Sequence, residues 1–220
     1  MYPIKISPIL KQKWSQAALG CIECQVQIEP SCPELLAEIE KVSQELQEKF
    51  VIEQIKTMDG IAHTRACCKA LGKDVKRYRN SSEAMHRRVL QGKGIYQINN
   101  LIEVNSLITL KTGYSMGSYD LDKVCGTIEW TAAEEGIHYE GIRKDAVNVG
   151  NLPALRDEQG FFGNPNGDSA RTSITEESRH IMLCIYGFSG PEKLEHLVEE
   201  TKQALQNYCK ACAIETKILF

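Results

Sequence analysis

The sequence lacks the long apolar runs that membrane proteins require. Its apolar runs are short, whereas a membrane-spanning helix needs about 20 consecutive apolar residues. The first residues, Met-Tyr-Pro-Ile-Lys-Ile, contain no charged segment followed by an apolar stretch, so no signal peptide is expected. These absences predict a cytoplasmic protein that has no membrane partner.

The common motifs for nucleotides and catalytic metals are also missing. The chain has no Walker-type phosphate loop, no dinucleotide glycine fingerprint, no His-Glu-x-x-His and no Gly-x-Ser-x-Gly. Its five histidines are not spaced as metal ligands. We therefore expect no cofactor and no bound nucleotide.

Nine cysteines stand in a chain of 220 residues, and an odd number does not fit a disulfide framework. Two pairs, Cys21/Cys24 and Cys209/Cys212, have the Cys-x-x-Cys spacing of zinc sites. Residues 19–28 have the pattern of a strand, in which residues three apart point to opposite faces. The sequence favours buried free thiols and no metal, and a four-thiolate zinc site remains the alternative.

The small net charge of −3 conceals an uneven distribution. Residues 65–93 contain nine basic and two acidic residues, a net charge of +7, so the remainder of the chain carries −10. Such asymmetry is typical of a surface that binds a polyanion. The alternative is a solvated helical face whose basic groups pair with the chain's own carboxylates.

Hydrophobic periodicity predicts helices in the first half and strands in the second. Hydrophobic residues make up 42% and charged residues 25% of the chain, as in globular proteins. Helices are expected from a Ser31–Glu34 capping box to Phe50, over 61–71, from an Asn80 N-cap, from 98 onward and after 189–192. Strands are expected over 19–28, 126–131, 138–140, 146–149, 180–188 and 213–220. Residues 114–122 are expected to form turns. We therefore predict a mixed α/β fold in which helices cover a mixed sheet, with residues 1–220 forming one domain.

Four ordered segments carry a family resemblance. They are residues 77–93 (RYRNSSEAMHRRVLQGK), 98–107 (INNLIEVNSL), 119–123 (YDLDK) and 164–172 (NPNGDSART). Together they resemble the tRNA-binding and editing domain formed by the third and fourth modules of the bacterial phenylalanyl-tRNA synthetase beta chain. The resemblance is greater to free-standing proteins that consist of this domain alone.

The resemblance implies a mixed α/β domain that binds tRNA and hydrolyses a wrongly attached amino acid, which in the synthetase is tyrosine on the phenylalanine tRNA. The ester is already reactive, so such a site needs a positioned water and oxyanion donors rather than a cofactor. The chain is too short to contain the aminoacylation machinery. A domain that kept the fold and binds a small molecule or a protein without catalysis is the alternative.

The family's pocket residues carry over only in part. Asn105 matches the pocket asparagine, and Asp120 matches the aspartate that closes the following loop. Gly117 stands where the family has a histidine, and Cys184 stands where it has a glutamate. The implied pocket therefore consists of a different set of polar groups: Asn105, Asp120, Asp168, Ser169, Arg171, Thr172 and Cys184.

Within this set Asp168 is the obvious general base, and Asn105 and Thr172 are the further catalytic candidates. The alternative is that Asp168 and Ser169 cap local backbone groups in their loop.

The basic segment is the predicted RNA surface. Its phosphate-binding candidates are Lys76, Arg77, Arg79, Arg87, Arg88 and Lys93, and Tyr78 is the candidate for stacking on a base. Internal salt bridges of Arg79 and Arg87 are the alternative.

Overall fold

The computed structural model describes residues 1–142 and 144–220. The helices are α1 (Pro8–Lys13), α2 (Pro33–Lys49), α3 (Asp59–Ala70), α4 (Ser81–Leu90), α5 (Asn100–Thr112) and α6 (Leu194–Cys209). The strands are β1 (Ile4–Ile6), β2 (Ala18–Gln25), β3 (Met116–Asp120), β4 (Ile128–Ala132), β5 (His138–Gly141), β6 (Lys144–Asn148), β7 (Pro153–Asp157), β8 (Gly160–Gly163), β9 (His180–Gly187) and β10 (Cys212–Leu219). The predicted mixed α/β fold is confirmed.

Two four-stranded sheets and a hairpin organise the described strands. Sheet I has the order β10-β2-β9-β3 and is antiparallel throughout. Sheet II has the order β1-β4-β7-β8, in which only β1 and β4 run parallel. Strands β5 and β6 form the separate hairpin.

Sheet I separates two hydrophobic cores. One face of β2 and β9, with residues such as Ile22 and Leu183, packs with apolar residues of α2, α5 and α6. The opposite face, with residues such as Leu19 and Tyr186, packs with Trp130 and other residues of sheet II. Because strand side chains alternate, β2 and β9 contribute to both cores.

Most of the predicted elements are present, with two corrections. The capping box is wrong: α2 begins at Pro33, and the Ser31 hydroxyl donates to Glu103 instead, at 2.5 Å. The turn-rich interpretation of 114–122 is also wrong, because β3 occupies Met116–Asp120. Gly, Ser and Asp favour turns in isolation, but full pairing of β3 with β9 overrides that preference.

Several short elements were not predicted, namely β1, α1, β7 and β8. None of the helices in the described part of the chain combines the length and the apolar character that crossing a membrane requires.

Candidate nucleic-acid interface and neighbouring polar site

The basic residues of α4 and its flanking turns surround one depression. This depression, which we call the basic depression, has a volume of about 370 Å³. Its lining consists of Arg77, Arg79, Ala84, Arg87, Arg88, Gln91 and Lys93. Among the residues that the structure describes, no carboxylate lines it. The structure thus brings together five of the six predicted phosphate-binding residues.

Helix α4 is fixed at both ends. The Asn80 side chain accepts a hydrogen bond from the Glu83 amide at 2.7 Å, which confirms the predicted N-cap. At the other end Gly92 has φ +70°, a left-handed conformation that suits glycine. The Lys93 amide then bonds to the Arg88 carbonyl at 3.1 Å. This reversal returns Lys93 to the side of the arginines.

A buried carboxylate holds three arginines beside the depression. Glu83 accepts from Arg65 at 2.6 Å and from Arg87 at 3.1 Å, and Arg79 lies 3.8 Å away. The internal salt bridges of Arg79 and Arg87 are therefore present. A single negative charge faces three guanidinium groups, so the cluster retains a net positive charge.

The remaining basic residues differ in their contacts. Arg88 stacks on Tyr96, 4.0 Å from the ring centre, and donates to the Lys93 carbonyl. Tyr78 has Lys73 and Arg77 over its ring, at 4.4 and 5.3 Å.

Lys76, the sixth candidate, lies outside the depression. It is exposed, and its amide bonds to Asp74 in the turn before α4.

On the face of sheet I that packs against sheet II, the Asp168 carboxylate lies at the end of a chain of two tyrosine hydroxyl groups. The Tyr119 hydroxyl donates to the Asp168 carboxylate at 2.8 Å and accepts from the Tyr186 hydroxyl. Burial raises the pKa of Asp168 to about 7, although the hydrogen bonds from Tyr119 and from the Asn164 backbone oppose this rise. Asp168 can therefore exchange a proton near neutral pH.

Tyr119 also explains the glycine at position 117. A Cβ atom at Gly117 would lie 2.1 Å from the Tyr119 hydroxyl, and one at Gly163 would lie 2.2 Å from it. Both distances are far below van der Waals contact, so the phenol occupies the space that any larger side chain would need. A histidine at position 117 is incompatible with this placement of Tyr119.

Cys184 lies on the same face of sheet I as Tyr186, and its buried thiol is opposite Cys21 of β2. Interaction with Cys21, together with burial, holds the pKa of Cys184 well above its ordinary value. The thiol is therefore protonated and is a poor nucleophile at neutral pH.

The cysteine motif does not form a shared ligand set. Cys21 packs in the core next to sheet II, whereas Cys24 packs in the core next to the helices. Within the described chain, no three or more His, Cys, Asp or Glu residues are arranged to hold a metal ion.

Asn105 lies on the other side of sheet I. Its amide group, on α5, donates to Ser118, and its carbonyl oxygen is buried without a hydrogen-bond partner. Ser118 alternates with Gly117 and Tyr119 along β3, so its side chain points away from the Tyr119 phenol. The sheet therefore separates Asn105 from Asp168.

Two further candidates lie along β3 and its outer edge. Asp120 accepts from Ser178 at 2.6 Å and forms an ion pair with Lys123 at 3.2 Å. Its amide bonds to the carbonyl of Thr172, whose own hydroxyl is buried without a partner.

Ser169 and Arg171 line a different cleft, of about 640 Å³, between the β5–β6 hairpin and β8. The Arg171 guanidinium forms two hydrogen bonds to Asp157, at 2.9 and 2.8 Å. The Ser169 hydroxyl accepts from the Arg171 amide at 3.2 Å. Ser169 thus caps local backbone, and Asp168 accepts both from the Asn164 backbone and from the Tyr119 hydroxyl.

Three residues with clear roles were not among the sequence candidates: Glu83, Tyr96 and Tyr119. The four-residue spacing from Arg79 to Glu83 and on to Arg87 could have indicated the role of Glu83, since residues at this spacing meet on one helix face. No local pattern indicates that Tyr119 folds back over Gly117.

Comparison with known proteins gives the class of this domain. Residues 63–209 match the sequence model of the B3/4 domain family, which spans more than half of the chain. The chain belongs to the B3/4 domain family, and the resemblance found in the sequence is confirmed.

A particular relative is the phenylalanine–tRNA ligase beta subunit of Pectobacterium atrosepticum, 26% identical over 158 residues. The match covers 67% of this chain but only 18% of the relative, so the chain spans less than a fifth of that protein. A solved N-terminal fragment of the phenylalanyl-tRNA synthetase beta-subunit from Pyrococcus horikoshii aligns with a TM-score of 0.47 and 10% identity. That alignment covers 99% of this chain and 50% of the fragment.

Proposed function

We propose that this B3/4 domain binds tRNA through the basic depression. The observation that carries the proposal is the convergence of four arginines and a lysine on one concavity. Phosphate groups supply most of the binding energy of such surfaces, and guanidinium groups bind them through paired hydrogen bonds. The similarity to a tRNA ligase subunit gives tRNA as the class of RNA.

The arrangement of Glu83 supports the proposal. Its buried carboxylate fixes Arg87, which lines the basic depression, at hydrogen-bond distance before any ligand arrives. Side chains that are already ordered lose less conformational entropy on binding, so less of the interaction energy is spent on ordering them.

Charge reversal tests the surface. We expect the double variant Arg77→Glu/Arg88→Glu to lose at least about 100-fold in tRNA affinity by filter binding at low salt, because two phosphate contacts become repulsions. The matched control is Lys41→Glu/Lys49→Glu on α2, which makes the same change in net charge on another helix and should lose less than about threefold. Equal losses in the two variants would contradict the proposed surface.

Hydrolysis of a mischarged aminoacyl-tRNA is a second candidate, which Asp168 favours. A carboxyl group whose pKa is about 7 is suited to accept a proton from water at neutral pH. Asp168 would act as the base, and the backbone and hydroxyl groups of the loop to Thr172 would surround the ester.

A panel of correctly and wrongly charged tRNAs separates the candidates. Release of one amino acid by the wild type that is lost in Asp168→Ala supports hydrolysis, whereas binding without release defines a tRNA-binding module. Absence of both would favour a small-molecule or protein ligand, for which the cleft beside Ser169 and Arg171 is a candidate concavity.

A further inference from the structure

Strand β10 presents a long open edge. It lies at the end of sheet I and has eight residues, whereas the edge strands β1, β3 and β8 have three, five and four. One backbone bond, from Asp120 to Thr172, occupies the β3 edge, and one, from Ser169 to Phe162, occupies the β8 edge. Within the described residues, no segment pairs with the outer edge of β10.

Open edges are a liability in soluble proteins, because their free N–H and C=O groups pair with other strands. Natural proteins protect such edges by proline, by covering loops, by very short strands, by charges or by β-bulges. Strand β10 has no proline between Cys212 and Leu219, and a bulge between Cys212 and Glu215 limits its regular edge to Glu215–Leu219. Its charged residues are Glu215 and Lys217, and they carry opposite signs.

The sequence of β10 is self-complementary when it is paired antiparallel with itself. If Thr216 faces Thr216 of the second strand, Glu215 faces Lys217 within the regular part of β10. Opposite charges and β-branched residues that face each other across two strands stabilise the pair. A shift by one residue brings Glu215 opposite Thr216 and loses the charge pairing.

The charged groups are available for this pairing. The side chain of Glu215 is 60% exposed and contacts the Met1 ammonium group on one side. Lys217 is exposed and has no ion-pair partner among the described residues.

We propose that two copies of this chain associate through β10, antiparallel about a twofold axis at Thr216. The two copies of sheet I then form one continuous eight-stranded sheet. Because a single strand pair buries less surface than a standard interface, the dimer is weak, with a dissociation constant in the micromolar range.

Sedimentation equilibrium with charge variants tests both the partner and the register. We expect Lys217→Glu to weaken the dimer at least about tenfold, because each Glu–Lys pair becomes a Glu–Glu pair. The double variant Glu215→Lys/Lys217→Glu restores the opposite charges and should recover most of the loss. Lys41→Glu, on α2, is the matched control and should leave the dimer unchanged.

Disulfide trapping tests the twofold axis independently. In a Cys212→Ser background, Thr216→Cys places two thiols opposite each other, within the Cα separation that a disulfide requires. We expect it to form a covalent dimer under mild oxidation, and Ala213→Cys, which lies in the bulged segment away from the axis, to form far less. A wild type that stays monomeric up to about 500 μM, or the absence of both rescue and selective trapping, would overturn the proposal. A partner strand from another protein would then be the remaining occupant.

Discussion

Tyr119 determines what the interior of the polar site contains. Its ring lies above Gly117 and Gly163, and its hydroxyl joins Asp168 to Tyr186. Asp168 therefore contacts a buried phenol network on one side. The sequence analysis identified Asp168 and Gly117 as site residues. It could not show that Tyr119, two positions after Gly117, fills the space between them.

The raised pKa of Asp168 predicts a specific pH dependence. Between the ordinary value of 3.8 and about 7, the folded chain holds a proton that the unfolded chain has released. The free energy of unfolding therefore falls as pH rises through this window, and the effect is complete above it. Asp168→Asn removes this effect and can still accept the Tyr119 hydrogen bond.

We expect the free energy of unfolding of Asp168→Asn to gain about 2 kcal/mol relative to that of the wild type as pH rises from 4 to 8, measured by urea unfolding. Asp157→Asn is the control of opposite sign. Burial raises the pKa of Asp157, but the hydrogen bonds from Arg171 and from backbone amides outweigh it and lower the pKa overall. Because a lowered pKa confines the effect to pH values below about 3.8, this variant should lose relative stability only as pH rises toward 3.8 and should stay level between pH 4 and pH 8. A gain of the same size in both variants between pH 4 and pH 8 would contradict the assignment.

Among the secondary-structure elements, α4 was predictable and β3 was not. Local signals define α4, because an N-cap asparagine, the Glu83 spacing and a terminal glycine all lie within its own sequence. The formation of β3 depends on β9, more than 60 residues away, and its own residues favour turns. Sequence patterns report local preferences well, and they report distant strand pairing poorly.

Glu83 links α4 to α3 through Arg65, so substitution of Glu83 should weaken the attachment of α4 to the rest of the fold. We expect Glu83→Gln to lower the free energy of unfolding by about 2 kcal/mol, less than for a fully buried pair because its arginines are partly exposed. The matched control is Glu45→Gln, whose one ion pair within the described residues is the exposed contact with Lys49 on α2. It should cost less than about 0.5 kcal/mol, and equal losses would contradict the role given to Glu83.

At the scale of the whole molecule, sheet I connects the two cores. Because β2 and β9 contribute side chains to both faces, loss of one core exposes the back of the other. We therefore expect residues 1–220 to unfold as one cooperative domain.

Two spectroscopic probes can check this cooperativity. Trp130 is buried in the core next to sheet II, and Trp14 packs against that core, so fluorescence reports on it. Far-ultraviolet circular dichroism is dominated by the helices on the other face. Coincident urea midpoints are expected, and separate midpoints would show that the two layers unfold independently.

The most direct test of the central claim is the salt dependence of tRNA binding. If the basic depression contacts three to five phosphates, the plot of log affinity against log salt should have a slope of about −2 to −4. Neutralising two residues in Arg77→Gln/Arg88→Gln should make the slope shallower by about 1.5. A wild-type slope near zero, or an unchanged slope in the variant, would contradict phosphate recognition by the basic depression.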